Sequence, residues 1–156
     1  MSDNSGSVNV LTSQQPVVDD ELNQVEVDPR HQKRAALMQA LFASTFSEFT
    51  DQAIEDEELR QKIQEITAQI PEIDAKIKAF APERPLSEVN QVDLAILRLT
   101  VFEAEHKKTP IKVLINEAVE LAKQYGTESS PKFVNGVLGK LLVPTEEEHA
   151  NSSETT

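Results

Sequence analysis

Residues 91–105 read QVDLAILRLTVFEAE, and this stretch decides the fold class. Val92, Leu94, Ala95, Ile96, Leu97, Leu99, Val101, Phe102 and Ala104 leave almost no polar face. A helix apolar on nearly every side must be wrapped by other elements. At this length, and interrupted by Asp93, Arg98 and Glu103, it does not fit a membrane span. The stretch is therefore expected to be the central post of a helical domain.

The flanking sequence repeats one start signal. Asp28-Pro29, Thr109-Pro110 and Ser130-Pro131 each pair a capping residue with a proline suited to a first helical turn. Together with the periodicity between them, these predict an all-α body of about six to seven helices. The first runs from Pro29 to about Phe46, with Ala36, Leu37, Ala40 and Leu41 as its apolar stripe. Phe42, Phe46 and Phe49 form a second stripe that reads as core, with Phe42 the one able to border a partner. Leu59, Ile63, Ile66 and Ile70 define the next helix, and Pro71 breaks it. Ile73, Ile77 and Phe80 continue as a short third, with Glu72–Lys76 and Asp74–Lys78 as surface pairs. Asn90 caps the post. Leu114, Ala118, Leu121, Ala122 and Tyr125 mark a helix over 110–125, closed by Gly126 as a left-handed cap.

The last segment has two readings. Asn135-Gly136 between apolar pairs is a hairpin signal. Val134, Val137, Leu138 and Leu141 are spaced as a helix, and the proline start before them favours that reading. Gly136 and Gly139 then share a face that would admit a close helix. Such an approach would offset the cost of about 1 kcal/mol of a mid-helix glycine.

Charge divides the chain. Its net charge is −12, yet residues 1–29 hold six acids and no base, and 143–156 hold four acids and no base. The remaining body carries 17 acids and all 15 bases, a net of −2. Overall acidity is thus a poor guide to what the body binds. The expected organisation is an acidic disordered leader over 1–28, a helical domain over 29–143 and an acidic disordered tail over 144–156. There is no cysteine, and the first ten residues lack the charged flank and apolar run of a secretion signal. A cytoplasmic setting is expected.

Catalytic chemistry finds little support. His31, His106 and His149 are scattered, no glycine-rich phosphate loop exists, and neither a metal site nor a cofactor is expected. Two polar features stand out. Arg98 inside the post calls for an ion pair, with Glu103, Asn116 or Glu117 as candidate partners in a structural polar network. Arg30, Lys33 and Arg34, with His31 between them, place cations in a first helical turn, where they oppose the dipole and a phosphate would relieve the cost.

At this point the motifs match a family. The runs AILRLTVFE over 95–103, PIKVLINEAVELAKQYG over 110–126 and SPKFVNGVL over 130–138 closely resemble the NusB transcription antitermination factors, and RHQKRAALMQALF over 30–42 is similar to the family's arginine-rich opening. The resemblance implies a helical fold and binding of boxA-type single-stranded RNA jointly with the small-subunit ribosomal protein NusE. It also implies assembly with RNA polymerase and other Nus factors, notably on ribosomal RNA operons. By position it implies RNA contacts at Arg30, His31, Lys33 and Arg34, and at Ser129, Lys132, Phe133 and Asn135. Phe42 and Asp93 would meet the protein partner. A homodimer is compatible with it.

The sequence departs from the family at His31 and Gln32, which stand where arginine is common, at Phe42 for tyrosine, and at Gly139 for an acid. The acidic leader is a further departure, and it could compete with RNA for the basic turn. Two alternatives follow: a scaffold that keeps the ribosomal protein but has lost RNA binding, and the accessory domain of an RNA cytosine methyltransferase. The second would need a catalytic domain for which this chain leaves no room.

Overall fold

The structure is a computed structural model that describes residues 28–81, 85–106 and 108–143. Six α-helices and two single 3₁₀ turns make up its regular structure, with no strand among the described residues. The helices are α1 (Pro29–Ala43), α2 (Glu57–Ala68), α3 (Ile70–Phe80), α4 (Gln91–His106), α5 (Ile111–Tyr125) and α6 (Ser130–Leu142). The 3₁₀ turns are Asp51–Ala53 and Leu86–Glu88. The expected leader, apart from Asp28, and the expected tail with His149 lie outside the described residues.

The post is α4. Ten of its sixteen residues are buried, and it touches each of the other five helices. Ile96 and Leu97 have no exposed surface, and Phe102 is 1% exposed. Burying one such side chain contributes roughly 1.5–3 kcal/mol, so the helix is held by packing around its whole circumference. Asn90 Oδ1 accepts from the N–H groups of Val92 at 2.9 Å and Asp93 at 3.2 Å, which closes the N-terminus as expected. At the other end His106 stacks on Phe102, with 4.3 Å between ring centroids. Its Nδ1 donates to the Phe102 carbonyl at 3.0 Å, which leaves Nε2 to accept from Gln69 Nε2 at 3.2 Å.

Polar side chains tie the outer helices to the post. Arg98 does form an ion pair, but with Asp74 of α3 and not with Glu103, Asn116 or Glu117. Its Nε and Nη2 each lie 2.8 Å from an Asp74 oxygen, a two-pronged bond held half-buried. Lys76 binds Glu105, again from α3 to α4. Both acid–lysine pairs expected along the surface of α3 therefore give way to bonds between helices. The break before Pro71 occurs as expected, with Gln69 closing α2 and opening α3.

Four local expectations change. Helix α1 ends at Ala43 and not Phe46, because Ser44 and Thr45 turn their hydroxyls onto the carbonyls of Leu41 and Phe42. Phe46 is consequently 54% exposed and not core, with its ring edge-on to the half-buried Phe42 at 5.2 Å. Gly126 has φ −91° and is no left-handed cap. It is needed for space: a Cβ there would lie 2.5 Å from Ser130 Cβ. Gly136 and Gly139 meet the opposite condition. Among the described residues no atom comes within 4 Å of a Cβ added at either, so no described helix uses the face they open.

Candidate nucleic-acid interface

The basic turn of α1 begins at Asp28, whose Oδ1 accepts from Arg30 N–H at 3.0 Å, with Pro29 in the first helical turn. From that start the side chains separate by direction. Arg30 and Lys33 are exposed. Lys33 has only a loose partner, Glu58 at 3.8 Å, and both side chains are largely in water.

His31 and Arg34 turn inward. Arg34 Nε donates to Glu103 Oε2 at 2.9 Å, with the two side chains 12% and 3% exposed. Its Nη1 is 4.0 Å from Glu117 Oε2. The same Glu117 oxygen lies 2.8 Å from His31 Nδ1, and His31 Nε2 lies 2.9 Å from Gln124 Oε1. Oxygens thus face both ring nitrogens, an arrangement that the doubly protonated imidazolium satisfies. The Gln124 and Glu117 hydrogen bonds raise the His31 pKa above the usual 6.5, against a smaller opposing effect of burial. The polar network expected around Arg98 does not form; Glu103 and Glu117 instead meet Arg34 and His31. Asn116 is exposed.

Helix α1 packs on α4 and α2, and these bonds add a side-chain tether to α5. Glu117 and Gln124 lie two turns apart on α5, so His31 fastens the start of α1 along the second half of that helix. The turn over 126–129 and the start of α6 follow directly. The start of α1 is thereby tied to the last turn of α5, two residues before Gly126. A groove of about 430 Å³ opens beside the basic turn and is mixed in charge, with Arg30, Lys33 and Lys62 facing Asp28, Asp56 and Glu58.

The second segment is built on a buried hydroxyl. Ser130 is fully buried, and its Oγ accepts from Thr127 N–H at 2.8 Å. Its other hydrogen-bonding neighbour is Asp93 on α4. Around this anchor Ser129, Lys132 and Asn135 are exposed, while Phe133 is half-buried against the core. The proline starts at 109–110 and 130–131 lack the side-chain caps expected of Thr109 and the serines. Ser130 instead serves the turn behind it.

Asp93 corrects an expectation. Read as a partner contact, it is 5% exposed, and its Oδ1 has no hydrogen-bond partner. Burial raises its pKa above the usual 3.8, with Ser130 partly offsetting the effect. The reason is position: one turn into a helix wrapped on all sides, Asp93 faces α6 and not solvent. Phe42 keeps a partly open ring at the far end of α1. Gln124 is not singled out by the sequence, since nothing in a local pattern marks a glutamine as the acceptor for a distant side chain. Among the described residues no cluster of three His, Asp or Glu could hold a metal ion, and no helix is long and apolar enough to cross a membrane.

Comparison with known proteins agrees with the geometry. Residues 19–142 match the NusB family. The transcription antitermination protein NusB of Campylobacter curvus is 40% identical over 124 residues, covering 72% of this chain and 95% of the relative. That of Roseiflexus sp. is 55% identical over 73 residues, covering 45% of this chain and 51% of the relative. A solved structure of T. maritima NusB superposes with a TM-score of 0.67 at 33% identity, covering 80% of this chain and 99% of that one. On the match over 19–142 and the shared helical architecture, the chain belongs to the NusB family of transcription antitermination proteins.

Proposed function

We propose that the protein is a cytoplasmic RNA-binding adaptor that performs no chemistry. It binds boxA-type single-stranded RNA jointly with the ribosomal protein NusE, and with RNA polymerase and other Nus factors suppresses early termination, notably on ribosomal RNA operons. The observation that supports this reading is the pair of exposed cations, Arg30 and Lys33, at a helix start that His31 ties to Gln124 near the end of α5. Three exposed cations are few. Each phosphate contact contributes a slope of roughly −0.7 in log affinity against log salt for single strands, so three give roughly −2. Intrinsic affinity is accordingly weak, and contacts shared with the ribosomal protein strengthen it.

Fluorescence anisotropy of a boxA-like RNA, with and without NusE over a salt series, tests the proposal. Tighter binding with NusE, a slope near the one above, and loss on Arg30→Ala/Lys33→Ala are expected. Absence of RNA binding even with NusE would overturn it. A second reading draws on the inward turn of His31 and Arg34, which removes two of the four RNA contacts expected on α1: a scaffold that binds NusE alone. NusE binding without any RNA binding is its signature in the same experiment.

A further inference from the structure

The C-terminal end of α5 carries an aromatic ring that the core does not use. Leu114, Ala118, Leu121 and Ala122 are buried along one stripe. Tyr125 continues that stripe but is 41% exposed. The helix stops at the next residue, so its last apolar side chain overhangs the end of the bundle.

The ring stands apart from other exposed apolar groups. Ile111 and Val113 sit at the opposite end of α5, a rise of about 18 Å away at 1.5 Å per residue. Phe46 follows the far end of α1, and Val143 follows the far end of α6. Protein-binding aromatics usually anchor a desolvated apolar cluster. Tyr125 has polar company instead: Gln124 holding His31, Lys123 paired with Glu120 at 3.2 Å, and the turn leading to exposed Lys132.

Its seat is also rigid. Gly126 packs so closely on Ser130 that a methyl would not fit, and Thr127 N–H is held by Ser130 Oγ at 2.8 Å. Phe133, the aromatic that the resemblance points to, is half-buried against the core and has less free ring surface. A ring 41% exposed on a fixed backbone is what single-strand recognition uses to stack a base.

We infer that Tyr125 is a base-stacking platform for single-stranded RNA running between the start of α1 and the start of α6. The inference rests on the RNA-binding reading above. It has an internal reporter, because the chain has one tyrosine and no tryptophan.

The full chain is titrated with unlabelled boxA-like RNA while tyrosine emission, corrected for RNA absorbance, is followed beside anisotropy of a labelled copy. Emission is expected to fall saturably with the anisotropy midpoint. Tyr125→Ala should bind roughly 5- to 150-fold more weakly, the equivalent of about 1–3 kcal/mol per stacked base. Its melting temperature and salt slope should be unchanged, and Tyr125→Phe should bind like the parent. If RNA binds only with NusE, the two variants are compared in the ternary complex. RNA binding that leaves emission unchanged, or is indifferent to Tyr125→Ala, overturns the assignment and leaves the adaptor reading standing. A Tyr125→Ala variant that loses NusE but not RNA assigns the ring to protein and also overturns it. Absence of RNA binding under both conditions overturns both.

Discussion

Arg34 offers the sharpest test of the division between outward and inward cations. Its guanidinium donates to Glu103 at 2.9 Å, and the carboxylate side is 3% exposed. Arg34→Ala takes one guanidinium away from that buried carboxylate and strips Glu117 of a neighbour at 4.0 Å. Removing one partner of a buried pair costs about 3–5 kcal/mol, and the partial exposure of Arg34 places this case at about 3 kcal/mol. For a domain near 110 residues, about 4 °C of melting temperature corresponds to 1 kcal/mol, so a fall of roughly 12 °C is expected. The assay is thermal unfolding followed by circular dichroism, run beside Arg30→Ala. Arg30 is exposed, and its variant should melt like the parent while losing RNA affinity. Arg34→Met/Glu103→Gln should melt above Arg34→Ala, because the buried negative charge is then removed together with the guanidinium. A variant Arg34→Ala that melts like the parent but loses RNA would refute the reasoning, since Arg34 would then be a phosphate ligand and not a brace.

Three further outcomes are expected. The folded-state pKa of His31 is raised, so its contribution to stability is fully present below the unfolded value near 6.5 and is lost as pH rises through the folded value. Urea unfolding above pH 6.5 should show this decline, and His31→Gln should flatten it. Asp93 also has a raised folded pKa, from burial, so its contribution is present below 3.8 and turns into a cost as the buried carboxylate ionises. Asp93→Asn should therefore raise the unfolding midpoint at pH 7 and give little advantage at pH 3. The glycines should respond with opposite signs: Gly126→Ala forces a contact at 2.5 Å and costs about 1–3 kcal/mol, whereas Gly136→Ala, in open space within α6, gains up to about 1 kcal/mol. Equal and same-signed shifts at the two positions in denaturant melts would refute the steric account.

What the linear sequence determined is local or periodic. The post was legible because nine apolar residues leave α4 no polar face. The break at Pro71, the cap at Asn90 and the helical reading of Asn135-Gly136 were legible because these choices are made within one turn of chain. The family motifs over 95–138 were legible for the same reason, being contiguous. Pairing was not. Arg98 calls for an acid in any fold, yet only the packing of α3 on α4 supplies Asp74. The run Arg30-His31-Gln32-Lys33-Arg34 reads as one basic patch, and only the arrival of Glu103, Glu117 and Gln124 splits it into two cations that face water and two groups that brace the fold. Tyr125 continues a buried stripe by spacing, and only the end of the bundle leaves it open. A helix face is set by a period of 3.6 residues, whereas the partner of a charge or a ring is set by which helices meet. Tertiary packing alone decides that.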